Sequence, residues 1–220
     1  GSAWVTSPAL HYPDGTQINV LYWDELMVGT DIGLYGQELS LGSDVVAFVP
    51  LAADFDGDGL ADPALYNTNG NWKIKLSTAN YAIIPLTGFL GGSGYTALAA
   101  DFDGDSKADP AIYNAASGLW AVKLSSLNYL TLSVIVSFVG SEWQSLAADF
   151  YGDGGADPAL YNSNGTWKVK LSTGGYALIT STCWLGRAGW TAIAADFYGD
   201  GKADPTIYHA ASGSWVIMLS

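Results

Sequence analysis

The stretch Asp54-Phe55-Asp56-Gly57-Asp58-Gly59-Leu60-Ala61-Asp62 decides the fold, because close copies of it recur three more times along the chain. The copies occupy residues 101–109, 149–157 and 196–204, so their first aspartates lie 47 or 48 residues apart. We call these four segments loops one to four. A constant period of this length is typical of architectures that stack one supersecondary unit many times.

Each period carries β-strand signals on both sides of its loop. In the second period, residues 95–101 form an apolar run before the loop and residues 110–114 form another after it. Residues 119–125 alternate apolar and other side chains, and residues 129–139 are rich in β-branched and aromatic residues. We name these predicted strands A to D. Four short strands in one period are the unit of a β-propeller blade.

The sequence therefore predicts an all-β, single-domain, five-bladed β-propeller over residues 1–220, with four-stranded antiparallel blades. Four blades are assigned to residues 47–92, 93–140, 141–187 and 188–220. Residues 8–46 lack the loop but keep its rhythm, which favours a degenerate first blade. The last period ends at its third strand, so we expect residues 3–6 to add the missing strand and close the ring.

Repeated aromatic residues in strands B and C are predicted to pack inside the fold. They share a fixed place in every period and lie in phase with aliphatic neighbours. The tyrosines of strand B are Tyr66, Tyr113, Tyr161 and Tyr208, and the tryptophans of strand C are Trp72, Trp120, Trp167 and Trp215.

The loops carry carboxylates at positions 1, 3, 5 and 9, which is a crowding of hard oxygen ligands. Such ligands suit a hard divalent cation, and Ca²⁺ accepts six to eight of them in flexible geometry. An EF-hand is excluded, because position 12 is never Glu and a proline follows each loop where a helix would have to begin. The residues at position 12 are Leu65, Ile112, Leu160 and Ile207.

The loop, its place between two strands and the period resemble FG-GAP (VCBS-type) repeats, the blades of integrin α-subunit propellers. Similar repeats occur in bacterial secreted proteins and in calcium-containing fungal propeller lectins. The resemblance covers residues 51–220 well and residues 1–50 by rhythm alone. It implies structural Ca²⁺ bound by the side chains at positions 1, 3, 5 and 9 and by the backbone carbonyl at position 7.

Carried over to this sequence, the resemblance implies two complete sites and two reduced ones. The complete sites are Asp54, Asp56, Asp58, Leu60 and Asp62 in loop one, and Asp101, Asp103, Asp105, Lys107 and Asp109 in loop two. The reduced sites are Asp149, Asp153 and Asp157 in loop three, and Asp196, Asp200 and Asp204 in loop four. Position 3 there is Tyr151 or Tyr198, so we expect those sites to bind more weakly or to stay empty.

A second candidate feature is the aromatic residue six positions before each loop. These residues are Phe48, Tyr95, Trp143 and Trp190, and Gly- and Ser-rich segments precede several of them. In one interpretation they form pockets between blades, where a sugar ring stacks on an aromatic face. In the other they are wedges that only pack one blade against the next.

Charge and composition limit the classes of partner. The net charge is −13, but 14 of the 21 acidic residues lie in the four loops, and no basic stripe is present to neutralise phosphates. We therefore expect no nucleic-acid partner. No apolar run is long enough to span a bilayer, so no membrane insertion is expected.

The sequence favours a calcium-binding module that recognises glycans or an extracellular protein partner. No nucleophile-and-base arrangement is recognisable, so neither catalytic residues nor an organic cofactor are assigned. Two alternatives stay open: a propeller scaffold of a polysaccharide-active enzyme, and a structural spacer or adhesion module from a larger secreted protein. The resemblance implies an extracellular or cell-surface location, with any secretion signal lying outside this sequence.

Overall fold

The computed structural model describes residues 48–86, 88–130, 132–137, 142–181 and 185–220, all of which belong to the second of two units, residues 44–220. The described strands are β1 (Phe48–Ala53), β2 (Asp62–Asn67), β3 (Trp72–Leu76), β4 (Ala82–Pro85), β5 (Tyr95–Ala100), β6 (Asp109–Asn114), β7 (Leu119–Lys123), β8 (Leu132–Ser137), β9 (Trp143–Ala148), β10 (Asp157–Asn162), β11 (Trp167–Leu171), β12 (Ala177–Ser181), β13 (Trp190–Ala195), β14 (Asp204–His209) and β15 (Ser214–Ile217). Two single turns of 3₁₀ helix lie at Ser125–Leu127 and Ser172–Gly174.

These strands form four antiparallel sheets, which are blades of a β-propeller. Blade I is β1–β4, blade II is β5–β8, blade III is β9–β12, and blade IV is the three strands β13–β15. Within each blade the strands follow one another in chain order. The predicted strands A, B, C and D are thus confirmed in three blades, and A, B and C in the fourth.

The register of strands A and B fixes where each loop sits. The last residue of strand A pairs with the aspartate at loop position 9, as Ala100 does with Asp109 and Ala148 with Asp157. Each acidic loop is therefore the connection of a hairpin. The proline at the second residue of strand B is tolerated because it lies at the strand's beginning.

The hydrophobic core lies between neighbouring blades. One cluster joins Tyr66 and Trp72 of blade I to Ile112 of blade II. The next joins Trp120 of blade II to Leu160 of blade III, and a third joins blade III to blade IV. Because each cluster needs side chains from two successive sheets, a blade can bury its apolar faces only in the presence of its neighbours.

Backbone hydrogen bonds between successive loops reinforce this packing. The amide of Ala108 in loop two donates to the carbonyl of Asp54 in loop one, at 2.6 Å. The same bond joins loops two and three, and loops three and four, through the amides of Ala156 and Ala203. A chain of repeated, directed bonds therefore holds the loops in a common register.

The predicted core is confirmed in the first three blades and wrong in part in the fourth. Tyr66, Tyr113, Tyr161, Trp72, Trp120 and Trp167 are all buried, at 3 % exposure or less. Trp215 is 52 % exposed, and Tyr208 is half-buried. In blades I–III the strand-C tryptophan packs in a cluster with residues of the following blade, whereas Trp215 belongs to none of the clusters formed by the described residues.

The number of blades differs from the prediction. The described part of the chain contains four blades rather than five. Residues 8–46, assigned to a degenerate first blade, and residues 3–6, assigned to a closing strand, lie outside the described residues. The assignment of residues 1–220 to one domain stays a prediction. No helix in the described part of the chain has the length and apolar character needed to cross a bilayer.

We predict that Gly91→Ala lowers the free energy of unfolding by about 2–4 kcal/mol, from an overpacked contact and backbone strain together. Gly91 has a φ of 104°, and a Cβ there would lie 2.5 Å from the Tyr66 hydroxyl oxygen. Gly175→Ala is the matched control: its φ is 63°, and a Cβ there would meet nothing within 4 Å. Urea unfolding of both variants tests this; equal losses would show that contact with Tyr66 does not matter.

Candidate functional site

The aspartate at position 1 organises each loop from within. In loop one, Asp54 accepts hydrogen bonds from the amides of Gly57 at 2.6 Å and Gly59 at 2.8 Å. The corresponding bonds recur in the other three loops, on Asp101, Asp149 and Asp196. The carboxylate therefore folds the loop around itself, as an Asx turn does.

The aspartate at position 9 is fully buried and ties the loop to strand C. In blade III, the two carboxylate oxygens of Asp157 accept from the amide of Phe150 at 2.9 Å and the amide of Ser172 at 2.7 Å. The same pair of bonds is made by Asp62, Asp109 and Asp204, and all four residues are 0 % exposed. Both acceptor atoms are used, which is what makes burial of the group tolerable.

The aspartate at position 5 meets a serine that follows strand C. Asp58 accepts from the Ser77 hydroxyl at 2.7 Å, and Asp105 accepts from the Ser125 hydroxyl at 2.9 Å. Asp153 makes a longer contact with Ser172, at 3.3 Å. The sequence analysis missed these serines, although a Leu-Ser pair at the end of every strand C was the available signal.

Position 3 divides the loops into two classes. Asp56 accepts from the Thr78 hydroxyl at 2.5 Å, and Asp103 accepts from the Ser126 hydroxyl. Loops three and four place phenol rings at this position instead. Tyr151 is 53 % exposed and Tyr198 is 67 % exposed, so neither ring replaces the carboxylate inside the loop.

In loops one and two the structure brings three carboxylates close enough to share one ion. The groups are Asp54, Asp56 and Asp58 in loop one, and Asp101, Asp103 and Asp109 in loop two, each offering oxygens within 4.8 Å of one another. No such group of three occurs in loops three and four as the structure describes them. Asp62 and Asp105, predicted as ligands, lie outside the two groups.

The position-7 residues, whose carbonyls the resemblance assigns to the ion, differ in their surroundings. The side chain of Leu60 is 60 % exposed. Lys107 instead crosses the neighbouring loop: its Cγ lies 3.2 Å from where a Cβ on Gly57 would stand. Lys202 passes Gly152 in the same way, at 3.0 Å.

Burial and hydrogen bonding move the carboxylate pKa values in opposite directions. Burial raises the pKa of Asp109 to about 6, even though the Ser125 and Phe102 amides favour its charged form. Burial also raises the pKa of Asp101 and of Asp157. The Thr78 hydroxyl lowers the pKa of Asp56. Loop two therefore contains two carboxyl groups, Asp101 and Asp109, whose charged forms are disfavoured by burial, and a bound cation would relieve that cost.

A tyrosine in the turn before strand D reaches back to the preceding loop, which the sequence analysis also missed. The Tyr129 hydroxyl of blade II donates to the carbonyl of Phe55 in loop one, at 3.0 Å. Burial first, and then the surrounding aspartates, raise the pKa of Tyr129, so it remains a neutral donor. Tyr129 has a left-handed backbone conformation with a φ of 58°. Its counterparts in blades I and III share this conformation, with a φ of 58° for Tyr81 and 62° for Tyr176.

The four predicted ligand residues lie at the end of strand A that is remote from the acidic loops. Phe48 is 39 % exposed, and Tyr95, Trp143 and Trp190 are half-buried against the clusters between blades. Part of each tryptophan is already covered by the chain itself. The Lys168 ammonium lies 4.3 Å from the centroid of Trp143, and Trp190 stacks on His209 with centroids 5.0 Å apart.

Each of these aromatic residues faces an amide or imidazole across the hairpin. Tyr95 pairs with Asn114, Trp143 with Asn162, and Trp190 with His209. Asn114 also donates to the carbonyl of Gly94 at 3.3 Å. A Cβ at Gly92, in the turn before Tyr95, would meet nothing within 4 Å, so the backbone is uncrowded at this point of the turn. The edge between blades thus offers partly exposed rings, amide groups and accessible backbone, and we call it the aromatic edge.

Comparison with known proteins supports the fold. No protein-family model matches the chain, and none of the curated proteins matches it. Among solved structures, the chain is similar to a lectin of Agrocybe aegerita, studied for its recognition of non-reducing terminal N-acetylglucosamine. The TM-score is 0.54 with 18% identity, over 74% of this chain and 47% of the lectin chain. This chain therefore matches about half the length of that lectin, and the likeness concerns the propeller fold.

We predict that Asp109 titrates near pH 6 in chelator-treated protein. Its folded pKa of about 6 exceeds the ordinary value of 3.8, so between these values the folded state holds more protons than the unfolded chain. Its contribution to stability is therefore present below pH 4 and is lost as the pH rises through 6. A ¹³C NMR titration of the Asp109 carboxyl carbon, assigned with Asp109→Asn, measures it. A midpoint below 4 contradicts the prediction.

Proposed function

We propose that this protein is a calcium-binding β-propeller that recognises glycans at its aromatic edge. The observation that carries the proposal is a pairing that recurs at the aromatic edge: a partly exposed ring at the beginning of strand A lies across from a polar residue at the end of strand B. Similarity to a lectin propeller is consistent with this function, although at 18% identity it supports the fold alone. We also propose an extracellular location.

The glycan proposal follows from the chemistry of the aromatic edge. Sugar rings present C–H faces to aromatic side chains and hydroxyl groups to amides and backbone carbonyls. The Asn114 and Asn162 amides already donate to backbone carbonyls of the adjacent turn, so both are held in place before a ligand arrives. Because each site is built from repeated elements, a branched or polymeric glycan can occupy several at once and gain avidity.

The cation proposal concerns loops one and two. Three carboxylates within reach of one another match a Ca²⁺ ligand set, and the shared donors are all hard oxygens. Bound Ca²⁺ would neutralise part of the charge that now rests on hydrogen bonds from Ser77, Thr78, Ser125 and Ser126. The ion is a structural one in this proposal, because the loops lie at the end of each strand A away from the aromatic edge.

Calorimetric titration with CaCl₂ is expected to show two sites. Asp56→Asn and Asp103→Asn should each abolish one site, because each removes a carboxylate from a group of three. Tyr151→Phe is the control, since it alters an exposed ring in loop three and should leave the count at two. A count of four, or unchanged binding in both Asn variants, would overturn the assignment of the ion to loops one and two.

Binding of N-acetylglucosamine oligomers tests the glycan proposal. Trp190→Leu and Tyr95→Leu keep apolar packing but remove the flat ring, and each should weaken binding about tenfold, which corresponds to 1.4 kcal/mol. Tyr198→Ser is the matched control: this ring is 67 % exposed but lies in loop four, at the other end of strand A. Equal losses in all three variants, or release of free sugar, would speak against a binding site at the aromatic edge.

A further inference from the structure

The three described junctions between blades differ in charge at the aromatic edge. Around Tyr95, residues 88–95 and 110–118 carry no charged side chain, and the Lys123 ammonium that reaches Gly88 belongs to a buried residue and donates to the Gly88 carbonyl at 3.5 Å. Around Trp143, Lys168 lies over the ring and Glu142 is the adjoining residue, so both signs are present. Around Trp190, Arg187 is the sole arginine of the chain, and residues 185–195 and 205–220 contain no Asp or Glu. This last junction is the exception in a protein of net charge −13.

Arg187 is held close to Trp190 by one tight turn. The amide of Trp190 donates to the carbonyl of Arg187 at 3.2 Å, so these are the first and last residues of a β-turn. The Cα atoms of such a pair lie within about 7 Å of each other, which is comparable to the reach of an arginine side chain. Arg187 is exposed, and its guanidinium is therefore available to a ligand at the rim.

His209 places a polar imidazole against the Trp190 ring. It stacks on Trp190 at an interplanar angle of 29°, and a Cβ on Gly189 would lie 3.5 Å from its Nε2. Its Nδ1 pairs with the Ser212 hydroxyl at 2.8 Å, and Ser212 in turn pairs with Ser214 at 2.8 Å. Hydroxyl groups of a ligand would meet a connected set of donors and acceptors here.

Two buried polar groups in the apolar cluster against which Trp190 packs have no hydrogen-bond partner among the described residues. They are the Tyr161 hydroxyl and the Trp167 Nε1 group, and both residues are at most 2 % exposed. Their counterparts between blades I and II are satisfied. Tyr66 bonds to Gly92 at 3.0 Å, and Trp72 donates to the Leu90 carbonyl at 3.1 Å.

The position of Tyr161 links these orphaned groups to Arg187. A Cβ on Gly186, the residue before Arg187, would overlap the Tyr161 hydroxyl oxygen. Buried polar groups without partners are rare in native proteins and each calls for a water or a ligand.

We propose that the junction between blades III and IV binds a carboxylate-bearing sugar, with Arg187 as the residue that selects the acid. The guanidinium forms a two-pronged, charge-assisted contact with the carboxylate, while Trp190 and His209 hold the ring. This inference rests on the proposed glycan binding at the aromatic edge. It adds that one junction differs from the others in preferring an anionic sugar.

The test compares methyl β-glucuronide with methyl β-glucoside, which differ in one carboxylate, by ¹⁵N NMR titration at low ionic strength. We expect the glucuronide to bind about tenfold more tightly and to shift the Trp190 indole signal. Arg187→Gln should reduce the preference for the glucuronide below twofold. Arg187→Lys should keep only part of the preference, because an ammonium cannot donate two parallel hydrogen bonds to one carboxylate as a guanidinium does. Lys168→Gln, which removes the cation over Trp143, should leave the preference intact.

Equal affinities for the two glycosides, a preference that survives Arg187→Gln, or shifts confined to other tryptophans would each overturn the proposal. The same sample is then titrated with an N-acetylglucosamine oligomer. Binding of the oligomer without preference for the glucuronide leaves the proposed glycan recognition intact and rejects the role of Arg187. Failure of all three ligands rejects both.

Discussion

The buried aspartate at loop position 9 is the interaction on which the described blades depend. Its two oxygens receive one amide from the beginning of the loop and one from the residue after strand C, so a single side chain joins three strands. In the dry interior these charge-assisted bonds are strong, and leaving either amide without a partner is costly. The opposing cost of burying the carboxylate is visible in the raised pKa of Asp157.

The blades are joined to one another because successive loops are also hydrogen-bonded. Loops one, two and three each accept a hydrogen bond from a backbone amide of the next loop, and Tyr129 of blade II donates to a carbonyl of loop one. The apolar clusters between blades follow the same direction, from one sheet to its successor. Packing and hydrogen bonding therefore agree on one arrangement of successive blades, as a minimally frustrated repeat requires.

Much of the blade architecture could be predicted from the sequence, because the same residue types recur at the same positions in four periods. The four strands per period, the hairpin position of the loops and the buried strand-C tryptophans of blades I–III all followed from period and alternation. The role of position 9 did not, since a pattern of aspartates cannot tell an ion ligand from an acceptor of backbone amides. The serines after strand C and Tyr129 were missed because their partners lie about 20 or more residues away in sequence.

The central claim is that Asp157 clamps the blade through its two amide bonds, independently of any cation. Asp157→Ala and Asp153→Ala, compared by urea unfolding in EDTA, test it most directly, because Asp153 belongs to the same loop but is exposed. Removing the clamp should lower the free energy of unfolding by about 2–4 kcal/mol, and removing Asp153 by less than about 1 kcal/mol. Similar losses in the two variants would contradict the account.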